Sequence, residues 1–224
     1  MPPKKPSPAK GPSKAPAKTT VASKAPAKTG SVPAKQGATA AKAPAATPKK
    51  EPEPAPKPVV VTDVPFKQVD AMVVYDKEGT VKATGKWAIV MDENSLIGRF
   101  LRHRDVNMLT APDNADMQPE VIRKALLGSV KYGKPFVIDM METDMYEFLV
   151  ERFDEILPGL FEMVIDKSII KDESYMKIVK DSDGPEFHSK YDYNIDDFSF
   201  LIITSCMAPK ETILRKMYPV KVVN

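Results

Sequence analysis

The stretch KPFVIDMM, residues 134–141, decides the fold that the sequence predicts. Its apolar residues are Phe136, Val137, Ile138 and Met140. A continuous apolar run this short is typical of a strand buried on both faces, as in the middle of a parallel sheet. The acid Asp139 stands at the carboxyl end of this run, where open α/β sheets bind ligands. Asp139 is therefore the first candidate site residue.

Strand and helix patterns alternate around this stretch. Further strands are predicted at residues 87–91, 106–110, 198–206 and, as an edge strand, 219–223. Helices are predicted at residues 96–102, 119–132, 143–157, 160–180 and 211–217. Pro119 and Gly133 delimit the best-defined helix, which forms a strand–helix–strand crossover with residues 134–141. We expect an α/β domain over residues 86–224, with a mainly parallel sheet and flanking helices.

The segment before this domain, residues 59–85, is predicted to be a linker that contains a β-hairpin. Residues 71–75 and 80–84 flank the turn Asp76-Lys77-Glu78-Gly79. Residues 59–64 are apolar and β-branched, and they fit either an edge strand or the exit of the preceding tail.

Residues 1–58 form a Lys/Pro/Ala-rich tail with 14 of the 22 prolines and no aromatic residue. The tail has 12 lysines and two glutamates, a net charge of +10, and because the whole chain carries +3, the remainder carries −7. A segment so poor in large apolar residues cannot offset the entropy lost on ordering its backbone. We therefore predict that the tail is disordered and that it binds a polyanion.

The candidate partner-binding residues are mostly lysines of a repeat. The heptapeptide SKAPAKT occurs at residues 13–19 and 23–29, and its lysines are Lys14, Lys18, Lys24 and Lys28. Proline stiffens such a chain, which suits a long acidic surface better than a pocket. The acidic tails of tubulin on a microtubule and the phosphates of nucleic acid both fit, and so does a tether with no specific partner. Within the domain, Arg99, Arg102 and Arg104 form a basic patch.

Several classes of site find no support in the sequence. One cysteine excludes an internal disulfide, and two distant histidines give no zinc spacing. No membrane segment or signal peptide is recognisable, so a soluble cytosolic protein is expected. Residues 79–87, GTVKATGKW, have the wrong spacing for a phosphate-binding loop and lack a hydroxyl residue after Lys86. Cys206 is predicted to be a buried thiol, and Asp92 and Asp139 to be solvated turn acids rather than a magnesium pair.

Three stretches in order carry a resemblance to a known family. They are KWAIVMDENSLIGRFL at residues 86–101, KALLGSVKYGKPFVIDMMETD at 124–144 and DDFSFLIITSCMAP at 196–209. Together they resemble the later half of an AAA+ module, most of all the degenerate fifth module of dynein heavy chains. The same region is similar to the carboxyl-terminal part of ciliary proteins with IQ motifs and ankyrin repeats. The resemblance implies that Asp139 stands at the Walker B position and Thr204 near the sensor position.

The resemblance also predicts an inactive member of the class. Met140 stands where a second acid is expected, and no phosphate loop or arginine finger can be assigned. The first β–loop–helix unit is predicted to be absent, so the predicted hairpin or, as we favour, a partner protein is expected to cover the centre of the sheet. The implied function is a non-catalytic, cofactor-free docking protein of the ciliary or flagellar axoneme, with the tail on microtubules. A chromatin- or RNA-associated protein and a nucleotide-binding subunit completed by a partner remain alternatives.

Overall fold

The computed structural model describes residues 58–223. The predictions for residues 1–57, including disorder and the roles of Lys14, Lys18, Lys24 and Lys28, therefore lie outside the described residues. Across the described part of the chain, no helix is long and apolar enough to cross a membrane.

A six-stranded sheet in which every strand pairs in parallel forms the framework, as the sequence predicts. Its strands are β1 (Thr62–Pro65), β2 (Ala88–Met91), β3 (Asn107–Thr110), β4 (Pro135–Asp139), β5 (Ser199–Thr204) and β6 (Tyr218–Val223). Their order across the sheet is β1-β6-β2-β5-β4-β3. All five residues of β4 are buried, which confirms the prediction made from KPFVIDMM.

Strand β6 was predicted to be an edge strand because of Pro219, and this prediction is wrong. The strand lies between β1 and β2. The Tyr218 amide donates to the Trp87 carbonyl on the β2 side at 2.7 Å. Successive amides of a strand point to opposite sides, so the missing N–H of Pro219 falls on the β1 side, where pairing starts only at Val220. The Tyr218 hydroxyl also donates to Thr62 Oγ1 of the edge strand β1 at 2.8 Å.

Helices cover both faces of the sheet. They are α1 (Phe66–Val69), α2 (Thr80–Ala83), α3 (Leu96–Leu101), α4 (Pro119–Tyr132), α5 (Tyr146–Asp154), α6 (Leu160–Ile165), α7 (Pro185–His188) and α8 (Glu211–Lys216). The face with Ile89, Phe136 and Ile138 packs against α4, α5, α6 and α8. The opposite face, with Val90 and Val137, packs against α1 and α3. Alternate residues of the interior strands thus contribute to two separate cores.

The predicted hairpin at residues 71–84 is absent. Helix α1 continues into a π-helical turn at Asp70–Val74, and α2 follows the turn at Gly79. The Asp76 carboxylate accepts the amides of Val81 at 3.0 Å and Lys82 at 2.7 Å, which starts a helix where a strand was expected. Val64, Val69 and Val73 pack into the second core, so this segment is part of the α/β domain rather than a linker.

The helix predicted over residues 160–180 ends early, at Ile165. The Asp166 carboxylate accepts the Ser168 amide at 2.8 Å, a side-chain bond that competes with helix continuation. Lys167 then adopts a left-handed backbone with φ of 67°. Short 3₁₀ turns at Ser168–Ile170 and Ser174–Ile178 replace the rest of the helix.

Arg123 of α4 anchors the end of this irregular segment. Its side chain, only 1% exposed, pairs with Asp183 at 2.6 Å and donates to the Ile178 carbonyl at 2.8 Å. Glu120, one helical turn earlier, contacts the same guanidinium. The network joins α4 to residues 178–183, which otherwise lie in a long connection between α6 and β5.

Candidate functional site

The candidate site lies at the carboxyl ends of three adjacent interior strands, β2, β5 and β4. The strand order places Asp92, Thr204 and Asp139 at this edge in that sequence. The Asp92 amide donates to the Thr204 carbonyl at 2.8 Å, and the Met140 amide donates to the Ile203 carbonyl at 2.9 Å. The structure therefore brings together the residues that the sequence analysis assigned to this edge. Helices α3 and α8 leave β2 and β5 toward opposite faces, the arrangement at which open sheets bind ligands.

The centre of the sheet is filled by this chain's own β–loop–helix unit. Strand β2 lies between β6 and β5, and the loop at residues 92–95 leads from it into α3. The prediction that such a unit is missing, and that a hairpin or a partner must cover a gap, is wrong. The unit escaped recognition because its loop, Asp-Glu-Asn-Ser, contains no glycine or lysine that would mark a phosphate-binding loop.

The Asp92 side chain accepts hydrogen bonds from amides of this loop and of α3. Its Oδ2 accepts the Ile97 amide at 2.7 Å and its Oδ1 accepts the Asn94 amide at 3.2 Å. Asp92 is 2% exposed, and Ser95 reaches the helix through a left-handed backbone with φ of 52°. In phosphate-binding loops, amides of this kind receive the phosphate oxygens. Here the carboxylate of Asp92 occupies that place, and its charge would repel a phosphate.

Asp139 is buried at the end of β4, with 7% of its surface exposed. Burial raises the pKa of its carboxyl group, and the nearby charge of Asp92 raises it further. The Met141 amide, which donates to Oδ1 at 2.9 Å, and the charge of Arg102 act in the opposite direction on this pKa. On α3, a Cβ added at Gly98 would lie 2.7 Å from Asp139 Oδ2. Helix α3 is thus seated directly against the acid.

The burial of both acids corrects the prediction of two solvated turn carboxylates. Asp92 and Asp139 instead act as acceptors of backbone amides inside the fold. Within residues 58–223, no group of three or more His, Cys, Asp or Glu side chains is placed to hold a metal ion. Carboxylates used in this way stabilise the turns at the ends of their strands.

Thr204 also makes hydrogen bonds within the fold. It is fully buried, its hydroxyl donates to the Met141 carbonyl at 3.0 Å, and the same oxygen accepts the Cys206 amide at 3.0 Å. Met141 is held with a left-handed φ of 55°. Next to it, the Ser205 hydroxyl is buried without a partner among the described atoms. Cys206, predicted to be buried, is partly exposed because it follows β5 rather than belonging to it.

The three arginines of the predicted basic patch lie on or just after α3. Arg99, Arg102 and Arg104 are all exposed. Arg104 contacts two other residues of the domain: its guanidinium stands 4.5 Å above the ring of Phe100 and 3.6 Å from the Asp70 carboxylate. The patch therefore has at least one arginine already engaged in an intramolecular contact.

Sequence reasoning missed Gly98 and the capping role of Asp92. An isolated glycine inside a helical pattern often marks close packing, so Gly98 carried a usable signal. An acid shortly before a helix is likewise a known start signal. What the sequence could not show is that Gly98 packs against Asp139 of β4, a strand that β5 separates from β2.

No protein-family model matches the chain. No solved structure gives a significant match. The α/β fold is established by the sheet itself, and the resemblance to dynein AAA+ modules stays a prediction.

Proposed function

We propose that this protein is a non-catalytic docking protein of the ciliary or flagellar axoneme, whose basic tail contacts microtubules and whose α/β domain binds a neighbouring protein. The observation that carries the non-catalytic part is the position of Asp92. Its carboxylate occupies the amides at the start of α3 that a nucleotide phosphate would need.

The contacts of Asp139 within the fold support the same proposal. Catalytic phosphoryl transfer needs an ionised acid that reaches a metal-bound nucleotide. The Asp139 carboxylate instead lies against Gly98 through Oδ2 and accepts the Met141 amide through Oδ1, so both of its oxygens are engaged inside the fold. Such an acid is better explained as a framework residue of the sheet.

The charge distribution supports different binding partners for the tail and for the domain. The tail carries +10 and the remainder −7, so an acidic filament attracts the tail and repels the domain as a whole. The acidic tails of tubulin offer a repeated negative surface that suits lysines spaced along an extended chain. Arg99 and Arg102, exposed beside the candidate site, are proposed as contacts to a protein partner.

Cosedimentation with microtubules tests the proposal on the full-length protein. The test variant replaces Lys14, Lys18, Lys24 and Lys28 with glutamine, and the matched control replaces the same four with arginine. We expect the glutamine variant to bind at least about tenfold more weakly at low salt, because four charge contacts are lost, and the arginine variant to bind as the unmodified protein does. Removing the tubulin tails with protease should weaken binding of the unmodified protein to a similar extent.

Three results would contradict the proposal, and two of them would favour one of its alternatives. Equal binding of the glutamine and arginine variants would remove the tail from the interaction. Tighter binding to DNA or RNA than to microtubules would favour the chromatin- or RNA-associated alternative. A clear rise in melting temperature with Mg²⁺ and ATP would show that the domain holds nucleotide despite Asp92, and would favour the nucleotide-binding alternative.

A further inference from the structure

A cavity of about 260 Å³ lies at the amino ends of the strands, on the opposite edge of the sheet from Asp92 and Asp139. Trp87 and Ala88 at the start of β2 and Phe200 at the start of β5 form part of its wall. Val73 and Val81, from the segment before β2, form another part. The volume is close to the lower end of the range of about 300–1,000 Å³ that is common for ligand pockets. The cavity therefore suits a small ligand with an apolar body.

Lys167 supplies an unsatisfied cationic group to this cavity. Its ammonium stands 4.1 Å from the ring centre of Trp87, and it makes no hydrogen bond or ion pair with any residue that the structure describes. Burial lowers the pKa of this ammonium, with Asp76 acting in the opposite direction. A lysine is also unusual at φ of 67°, a backbone that glycine adopts at lower cost. The ammonium of Lys167, on a partly exposed residue, thus stands at the cavity wall without an acceptor among the described residues.

The acids in the cavity wall already accept hydrogen bonds from this chain. Both oxygens of Asp76 receive backbone amides, from Val81 and Lys82. Asp197 receives the side-chain amide of Asn194 at 2.7 Å. A second ammonium, that of Lys82, also lines the cavity and donates to the Asp196 carbonyl at 3.2 Å. Of the two ammonium groups in the wall, Lys82 has an acceptor among the described atoms and Lys167 has none, so the group that a ligand can add at Lys167 is an acceptor.

We propose that this cavity binds a small organic anion, its charged group on Lys167 and its flat apolar body against Trp87 and the neighbouring valines. A carboxylate can accept the donors of Lys167, and an aromatic or aliphatic body can contact Val73, Val81 and Phe200. The ligand class is therefore an apolar monocarboxylate of small size.

Trp87 provides a specific reporter because it is the only tryptophan of the chain. Its indole N–H, which donates to the Val164 carbonyl at 2.6 Å, gives a single indole peak in a ¹H–¹⁵N spectrum of the full-length protein. Binding of a probe to the lysine-rich tail would leave this peak unchanged. The probes are 2-naphthoate and its uncharged counterpart 2-naphthamide, which share an apolar body and differ in charge.

We expect 2-naphthoate to shift the Trp87 peak saturably and to bind at least about tenfold more tightly than 2-naphthamide, the difference that a charge-assisted hydrogen bond provides. Lys167→Gln should remove this preference. Lys167→Gly should do the same, and it guards against misfolding because glycine relieves the left-handed backbone. Lys171→Gln, an exposed lysine of the same segment, is the matched control and should keep the preference.

Two outcomes would overturn the proposal. One is the absence of a saturable shift of the Trp87 peak with 2-naphthoate up to about 5 mM, a concentration that still detects weak binding. The other is equal affinity for the two probes, or a preference that survives in both Lys167 variants, since either result would place the anion away from Lys167.

Discussion

Gly98 of α3 and Asp139 of β4 are in such close contact that a Cβ on Gly98 would lie 2.7 Å from the Asp139 carboxylate. No side chain larger than hydrogen fits between them without movement of the acid. Because Asp139 Oδ1 is bonded to the Met141 amide, moving the acid also disturbs the turn after β4. Helix α3, which follows β2, therefore packs against an acid at the end of β4, two strands away in the sheet.

Gly98→Ala should destabilise the protein by about 1–3 kcal/mol, because the added methyl group overpacks a filled contact. The free energy of unfolding can be measured in urea, with the fluorescence of Trp87 as the probe. Gly128→Ala is the matched control, since a Cβ there meets only Asn107 Nδ2 at 3.9 Å inside helix α4. The control should be stabilised by about 0.5–1 kcal/mol. Equal stability of Gly98→Ala and the unmodified protein would contradict the contact.

Asp92→Ala should cost about 1–2 kcal/mol, because the amides of Asn94 and Ile97 lose their acceptor. Asp92→Asn keeps one acceptor, for the Ile97 amide, but turns an NH2 donor toward the Asn94 amide, so it should recover only part of this cost. Asp113→Ala serves as a comparison, since Asp113 accepts the Ala115 amide at 2.8 Å in an exposed turn. We expect that variant to stay within about 0.5 kcal/mol of the unmodified protein. A cost for Asp92→Ala as small as that of Asp113→Ala would refute the capping role.

Asp139→Asn should make the protein more stable at pH 7. Burial raises the pKa of Asp139 in the folded state, so above that pKa the folded protein holds a charged group at a cost that the unfolded chain does not have. As the pH falls through the raised pKa toward the ordinary carboxyl value of about 4, the unmodified protein regains this stability and the difference should shrink. Urea midpoints between pH 7 and pH 4 measure the effect. An Asp139→Asn variant that is less stable at pH 7 would show that the charge itself is needed for folding.

The Arg123 network predicts a loss of stability in acid. The contact with Arg123 lowers the pKa of Glu120 to about 2, and the same arginine lowers the pKa of Asp183. Both acids stabilise the fold above about pH 4, where they are also ionised in the unfolded chain, and this contribution is lost as the pH falls toward 2.

Asp183→Asn tests this network. It should cost about 2 kcal/mol at pH 7, because Arg123 loses a charged partner, and it should weaken the dependence of stability on pH below 4. Asp181→Asn, an exposed neighbour in the same turn, should change neither quantity. Urea unfolding at pH 7, 4 and 2.5 compares the three proteins. An unchanged acid dependence in Asp183→Asn would exclude this ion pair as its source.

The sequence correctly predicted the strands that are buried on both faces of the sheet. The runs around β2, β4 and β5 are continuous and apolar, and each forms a strand as predicted. The class of the fold follows from those strands and the helix Pro119–Tyr132 between β3 and β4.

Local side-chain bonds account for the failures. Asp76 starts a helix where two stretches flanking the turn at residues 76–79 suggested a hairpin, and Asp166 ends a helix that the apolar spacing would continue. Neither bond follows from hydrophobic periodicity, because each depends on one carboxylate reaching particular amides.

The sequence predicted which residues form the candidate site but not how they are buried and packed. The positions of Asp92, Asp139 and Thr204 at strand ends follow from the sequence, whereas their burial depends on which strands are neighbours. The packing of Gly98 onto Asp139 and the place of Lys167 beside Trp87 both join segments far apart in sequence. Such contacts are set by the sheet order, which one sequence alone does not give.

The pairing of β1 with β6 affects how the chain is made. Thr62 and Tyr218, whose hydroxyls bond across these two strands, are 156 residues apart. At a synthesis rate of about 5–20 residues per second, roughly 8–30 s pass on the ribosome between the appearance of one partner and that of the other. Strand β1 cannot pair with β6 during this interval, so the sheet closes only after residues 218–223 have been synthesised.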